Sequence, residues 1–232
     1  MASKRYKSLV SSRGVPGAPS VISDGSTVAW YDSSDLTTVT KDGANLVSVW
    51  ADKLGSGRNL LQAGADAIKP VWSADGILFD GVDNFMKTAA FTYAQPVMIY
   101  IVFKQVTWTN NEYIFDGNLV SSCILRQIGT TPDMALYAGA AANVNSNLAV
   151  DTWGIVRVLF SGAASKLIVN ETTPVTGNPG TQAMGGFTLA SRGDGAGLYP
   201  NIQVKEIILR KIADSAGDEV DIYNYLKTKY GL

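Results

Sequence analysis

One polar segment between apolar stretches combines aromatic side chains with hydrogen-bonding groups. It runs from Thr107 to Tyr113 and has a tryptophan, two asparagines and a glutamate inside it. A sugar ring has an apolar face and a rim of hydroxyl groups, so aromatic rings beside amides and carboxylates can bind it. We therefore predict a glycan site at this segment; the alternative is that Trp108 merely covers one end of the core. The predicted site residues are Trp108, Asn110, Asn111 and Tyr113 and, from other turn-rich stretches, Tyr137, Asn143, Asn145, Arg192, Asp194 and Tyr199.

A second candidate site consists of oxygen-bearing side chains in a short turn. Asp80, Asp83 and Asn84 lie within five residues of one another, and Ca²⁺ takes about 6–8 oxygen ligands. Asp-Gly also marks tight turns, and Asp116-Gly117 repeats the pattern without a second aspartate. We favour the turn and keep a weak calcium site as the alternative; no other cofactor is expected.

Missing residue types exclude several chemistries. The sequence contains no His, and Cys123 is its only cysteine. Ser-His-Asp catalysis, His-ligated zinc and an intrachain disulfide are therefore excluded. Because Cys123 lies in an apolar, strand-like run, we predict a small buried side chain.

The composition indicates a globular β protein. Of the 232 residues, 46% are hydrophobic and 17% charged, against about 25% charged in a typical domain. The longest apolar run, Val97 to Phe103, has seven residues, and a membrane-spanning helix needs about 20. No secretory signal is recognisable, so we expect no membrane partner and synthesis in a compartment that needs no disulfides.

Many short β-branched segments separated by turn signals predict an all-β protein, with two antiparallel sheets packed as a sandwich. Four aromatic residues are predicted to lie between the sheets: Phe79, Phe103, Trp153 and Phe160. One helix is predicted over residues 215–230, because Ser215 and Asp218 form a capping box and Gly231 is a suitable stop.

The N-terminal residues differ from the rest in charge. Residues 1–23 contain four cations and no acid, so this segment is +4 and the remainder −5. The four cations are Lys4, Arg5, Lys7 and Arg13. Four cations are a weak nucleic-acid signal, and no nucleic-acid partner is expected. We predict an extended anchor arm over 1–23 and one domain over 24–232.

Four segments in this order resemble the concanavalin A-like, laminin-G-like jelly roll of bacterial and phage proteins. They are residues 29–36, 49–60, 78–86 and 202–232. Trp153 and the segments that follow it resemble the central hairpin of that family, although Asn170-Glu171 stands where the family often has Asn-Gly. The resemblance implies a jelly-roll domain that binds glycans or proteins, cleaves glycans, or acts as a spacer on surfaces and virions.

Laminarinase-like glycosidases of this fold carry Glu-x-Asp-x-x-Glu on one strand. Glu219-Val220-Asp221 is the nearest match, but it lacks the last Glu and falls inside the predicted helix. We interpret these carboxylates as solvated helix charges and predict that the protein is not an enzyme.

The resemblance and the charged arm lead to two functional hypotheses. The first is a phage virion component, a head-decoration or fibre-type subunit that is made in the host cytoplasm and presents a lectin-like domain. Its arm would bind other virion or surface proteins in a homo-oligomer or larger assembly, with the bacterial cell surface as the alternative location. The second is a carbohydrate-binding module for adhesion, with glycans as partners.

Overall fold

A computed structural model describes residues 17–232, apart from the side chain of Asn143. This range contains short 3-10 turns at Ser20–Ser23, Asp66–Ile68 and Gly162–Ala164, and one α-helix, α1 (Ala216–Tyr230). The strands are β1 (Thr27–Asp32), β2 (Val39–Lys41), β3 (Val47–Trp50), β4 (Leu60–Leu61), β5 (Val71–Ser73), β6 (Gly76–Asp80), β7 (Met86–Lys87), β8 (Val97–Gln105), β9 (Tyr113–Asp116), β10 (Ile124–Ile128), β11 (Asp133–Tyr137), β12 (Ala141–Asn147), β13 (Gly154–Phe160), β14 (Ser165–Val169), β15 (Val175–Gly177), β16 (Thr188–Leu189) and β17 (Asn201–Arg210).

The strands form two antiparallel sheets packed face to face, as predicted. The first sheet has the order β15-β14-β13-β8-β17-β6-β5, and β1 also pairs with β17. The second sheet has the order β12-β11-β10-β9-β16-β7-β4-β3-β2. The largest buried side chains between them include Trp50, Phe79, Phe103 and Phe160, which confirms three of the four predicted core aromatics.

Strand β8 is apolar on both faces because each face is covered. Val97 and Phe103 point into the core between the sheets, whereas Met98 and Tyr100 belong to a second apolar cluster on the outer face of the first sheet. Helix α1 supplies the cover through Ile222 and other apolar side chains. The run of seven apolar residues therefore marks a central strand between two layers.

Helix α1 begins and ends where the sequence predicts. The Ser215 hydroxyl accepts a hydrogen bond from the Asp218 amide at 3.2 Å. Gly231 adopts a left-handed φ of 68°, and its amide bonds to the Lys227 carbonyl, an arrangement that ends helices.

Trp153 is not in the core, contrary to the prediction. Side chains alternate along β13, so Val156, Val158 and Phe160 face the core, whereas Ile155 lies on the outer face. Trp153 has the same parity as Ile155 and is half-buried on the outer face. The Lys205 ammonium lies 4.0 Å from the centre of its ring.

Glu219 is not solvated, contrary to the prediction. It is buried on the side of α1 that faces the first sheet, and its Oε1 accepts a hydrogen bond from Arg157 at 3.1 Å. Lys166 pairs with its other oxygen. Asp221 is exposed, as expected of a helix charge.

The described part of the predicted arm, residues 17–23, lies on the outer face of the first sheet. Ile22 is fully buried in the cluster beneath α1. Buried Arg210 donates to the Val21 carbonyl and pairs with Asp24 at 2.9 Å. The four arm cations lie outside the described residues, so the anchor stays a prediction.

Candidate functional site

The outer face of the second sheet carries a cleft of about 250 Å³ over strands β9, β10 and β11. In the sheet register Arg126 lies opposite Tyr113 on one side and Ala135 on the other, and Ile124 lies opposite Tyr137. These side chains share the face that points away from the core, because Leu125 and Leu136 face inward. The cleft is lined by Tyr113, Ser121, Ile124, Arg126 and Tyr137.

Arg126 lies in the cleft in contact with Asn111 and Tyr137. Its Nη1 donates to the Asn111 side-chain oxygen at 2.9 Å, and its guanidinium carbon is 6.0 Å from the centre of the Tyr137 ring. The Arg126 Nε is buried and has no hydrogen-bond partner in the described structure. The backbone of Asn111 is held in turn, since its backbone N–H donates to the Gln127 carbonyl at 2.9 Å. The cleft therefore presents a cation with hydrogen-bonding capacity to spare.

The loops beside the cleft are held by one buried carboxylate, Asp116. Its Oδ1 accepts from the amides of Gly117 at 2.7 Å and Ser122 at 3.0 Å. Its Oδ2 accepts from the amides of Ser121 at 2.8 Å and Gly193 at 3.0 Å. Asp116 thus fixes Ser121 in the wall of the cleft and joins that loop to the 191–199 loop.

Three of the predicted residues lie in the 191–199 loop, next to the cleft but not in its lining. Arg192 and Asp194 form a two-bond ion pair at 2.9 and 2.7 Å. Tyr199 stacks on Phe85 with ring centres 6.3 Å apart, and its hydroxyl donates to the Gly195 carbonyl. Each of the three side chains therefore contacts a residue outside the lining of the cleft.

The structure places Trp108 and Asn110 at the other end of β11. The Trp108 indole donates to the Asp133 carbonyl at 3.4 Å, and the Asn110 side chain accepts from the amide of Gly129 in the β10–β11 turn. Asp133 and Tyr137 are the two ends of β11, a separation of about 13 Å at roughly 3.3 Å per residue. A long ligand lying along β11 would be needed to reach both Trp108 and the cleft.

Of the residues predicted for the site, Tyr113 and Tyr137 line the cleft and Asn111 bonds to Arg126. The prediction from the sequence did not include Arg126, Ser121 or Ile124. Asn145, opposite Ala135 on β12, is exposed beside the cleft, and the Asn143 side chain lies outside the described residues. The signal that could have located Arg126 is a single cation between apolar residues in a strand-like run.

Glu112 precedes β9 and is half-buried. Burial raises the pKa of Glu112 to about 7, partly offset by a hydrogen bond from Thr109. A carboxyl group with such a pKa can donate or accept a proton near neutral pH.

The predicted calcium ligands are engaged in turn hydrogen bonds. The Asp80 carboxylate accepts from the Val82 amide at 2.9 Å, and the Asn84 side chain accepts from the Asp80 amide at 3.2 Å. Within residues 17–232, no group of three or more Asp, Glu, Cys or His side chains is arranged to hold a metal ion. The calcium site stays a prediction.

Two further findings concern the thiol and membranes. Cys123 is buried, as predicted, and burial raises its pKa to about 12. No helix in the described part of the chain is both long and apolar enough to cross a membrane.

No protein-family model and no curated protein matches the sequence. Solved structures do match. Domain 4 of AbnA, a GH43 extracellular arabinanase from Geobacillus stearothermophilus in complex with arabinotriose, aligns at a TM-score of 0.61 and 12% identity, covering 85% of this chain and 98% of that one. The protein shares the β-sandwich fold of glycosidase domains.

Two larger enzymes contain the same fold. A Trypanosoma rangeli sialidase aligns at a TM-score of 0.60 and 14% identity over 92% of this chain, which spans 33% of the sialidase. A GH54 α-L-arabinofuranosidase aligns at a TM-score of 0.62 and 12% identity over 90% of this chain and 64% of its own. At these identities the likeness shows the fold alone.

The comparisons correct one prediction from the sequence. The expectation that the protein is not an enzyme is wrong, because the solved structures that share its fold are glycosidases or domains of them.

Proposed function

We propose that the protein is a carbohydrate-binding domain of the concanavalin A-like kind, with its sugar site in the cleft of the second sheet. The observation that carries the proposal is the grouping of Tyr113, Tyr137 and Arg126 around one open cleft. The match to an arabinanase domain in complex with arabinotriose, over 98% of that domain, supports a carbohydrate ligand.

The cleft has the two kinds of surface that a sugar needs. Tyr137 is half-buried and offers a ring face for the apolar side of a sugar. The hydroxyls of Tyr113 and Ser121 and the Arg126 guanidinium offer hydrogen bonds for its rim. Beyond the cleft, the exposed Asn145 lies where a longer oligosaccharide would continue across β12.

Calorimetric titration of the full chain with an oligosaccharide panel that includes arabinotriose tests the proposal. Tyr137→Ala should weaken binding by about tenfold or more, because an aromatic contact contributes on the order of 1 kcal/mol beyond its buried area. Tyr199→Ala is the matched control, since Tyr199 packs on Phe85 outside the cleft. Equal losses in the two variants would count against the cleft.

A second candidate function, glycoside hydrolysis, is favoured by the pKa of Glu112 near neutrality. The same samples should be analysed for shorter products. If Glu112 acts as an acid or base, Glu112→Gln should abolish product formation while binding persists, and Glu171→Gln, an exposed carboxylate paired with Lys227, should leave it unchanged. If Glu112→Gln lost sugar binding and product formation together, Glu112 would have a structural role.

We also propose that the domain is carried by a surface assembly, a virion or a bacterial surface, through its basic N-terminal segment. The support is the charge of +4 before Asp24 against −5 in the rest. Replacing the four cations by serine should abolish attachment and leave the fold intact, because Ile22 stays in place. If the variant still attached to the virion or bacterial surface, the N-terminal segment would not be the anchor. The substituted residues are Lys4, Arg5, Lys7 and Arg13.

A further inference from the structure

We propose that the cleft selects sugars that carry a carboxylate group and that Arg126 recognises this group. The inference rests on the proposed carbohydrate-binding function and narrows its ligand class to acidic saccharides.

The first support is the charge of the cleft. Of the five lining residues, Arg126 is charged and the other four are neutral at pH 7. Two buried arginines have acidic partners, since Arg157 pairs with Glu219 and Arg210 pairs with Asp24 and Asp214. The half-buried Arg58 has no ion pair within the described part of the chain but donates to the Val28 carbonyl. No carboxylate among residues 17–232 forms an ion pair with Arg126, although an ion pair is the usual arrangement for a cation that is partly withdrawn from water.

The second support is the unused hydrogen-bonding capacity of this side chain. A guanidinium has five N–H donors and no acceptor. The described structure uses one of its nitrogens, Nη1, on the Asn111 oxygen, and Nη2 has no hydrogen-bond partner among residues 17–232. The Nε is withdrawn from the surface, so a ligand would bind the Nη1 and Nη2 groups. A carboxylate fits best, because its two oxygens accept two parallel N–H bonds from a guanidinium.

The third support is preorganisation. Asn111 and the Tyr137 ring contact the guanidinium before a ligand arrives. Because these contacts restrict the side chain, less of its freedom is lost on binding and more of the interaction contributes to affinity. The same ring is available to the apolar face of the sugar that bears the carboxylate.

Two acidic side chains near the cleft are held by other partners. Asp194, in the adjacent loop, is held by Arg192 in a two-bond pair. Asp133, at the far end of β11, accepts hydrogen bonds from Thr131 and Asn147. The carboxylate that completes the site would therefore come from the ligand.

The test compares two probes that differ in the carboxylate, a galacturonate trisaccharide and the galactose trisaccharide of the same linkage. In calorimetric titrations at low salt, the wild-type chain should bind the acidic probe about tenfold or more tightly, which corresponds to about 1.4 kcal/mol. Arg126→Gln should remove the preference, because it should lower the affinity for the acidic probe by at least about tenfold more than it lowers the affinity for the neutral probe, which uses the guanidinium only as a neutral hydrogen-bond donor would be used. Arg126→Lys should keep part of the preference, since the charge remains and the fork is lost.

Lys41→Gln is the matched control. It removes one positive charge from β2 of the same sheet, outside the lining of the cleft, and leaves no carboxylate of the described residues unpaired, because Lys41 donates to the Asn45 side chain. It should preserve the preference. Thermal unfolding of each variant shows whether the fold is intact.

The outcomes separate this inference from the proposed function. Equal wild-type binding of both probes, or a preference that survives in folded Arg126→Gln, overturns the role of Arg126 and leaves carbohydrate binding standing. A preference lost equally in Lys41→Gln would show a general charge effect and also overturn it. Binding of no saccharide overturns both proposals.

Discussion

Asp116→Asn is expected to loosen the loops that border the cleft. Asp116 is fully buried, and its two oxygens accept hydrogen bonds from four backbone amides at 2.7 to 3.0 Å. No lysine or arginine within the described range forms an ion pair with it, so backbone amides supply the stabilisation. The carboxylate is an acceptor at both oxygens, which is what four converging N–H groups require.

The size of the effect follows from the chemistry of the amide. Asparagine keeps one oxygen and replaces the other with an NH₂ group, which is a donor. Two of the four backbone N–H groups then lose their acceptor and face another donor. Each buried, unsatisfied donor costs about 1–3 kcal/mol, so the free energy of unfolding should fall by about 2–6 kcal/mol.

Urea unfolding followed by tryptophan fluorescence measures the decrease in the free energy of unfolding. Hydrogen exchange at the Ser121, Ser122 and Gly193 backbone amides measures how far the loops have loosened. Asp151→Asn is the control, because Asp151 is 72% exposed and pairs with Lys104 on the surface; it should cost less than about 1 kcal/mol. If the two variants unfold alike and the three amides exchange as in the wild type, the reasoning about Asp116 is refuted.

Three further predictions concern the packing of α1 on the first sheet. Glu206→Gln should lower the free energy of unfolding in urea by about 1–3 kcal/mol, because Lys229 loses a buried partner at 2.6 Å but keeps Asp32 at 2.7 Å; an unchanged free energy of unfolding would contradict this. Ile22→Ala should cost about 2–5 kcal/mol by thermal unfolding, since Ile22 is fully buried, and an unchanged Tm would show that the 3-10 turn adds nothing. Burial alone would raise the pKa of Asp32, but hydrogen bonds from Lys229 and two neighbours lower it to about 2. The stabilisation that Asp32 contributes is therefore present above about pH 4 and lost as the pH falls towards 2. In Asp32→Asn, the free energy of unfolding should change less between about pH 4 and pH 2 than in the wild type.

Features fixed by local sequence were predictable. The helix boundaries follow from the Ser215 cap and the Gly231 stop, which act within a few residues of themselves. The central position of β8 follows from an apolar run that would be costly on an exposed face. These inferences need no knowledge of which strands are neighbours.

Trp153 shows what a size-based prediction of the core leaves out. Large aromatic residues are usually buried, yet the alternation of β13 assigns Trp153 to the outer face and Phe160 to the inner one. The two residues are seven positions apart and so cannot share a face of a regular strand. Checking that parity along the sequence would have separated them.

The candidate site was harder to predict because it depends on register. Tyr113, Arg126 and Tyr137 come from three strands and meet because β10 pairs with β9 on one side and β11 on the other. The β9–β10 pairing is irregular between Leu125 and Arg126, and a slip of one residue would turn every following side chain to the other face. A single sequence does not specify such an irregularity, so proximity along the chain grouped Tyr113 with Trp108 instead. The same dependence gives Arg126 its character: a cation on the outward face of a strand, beside two tyrosines and without a carboxylate across the pairing, is left for a ligand to complete.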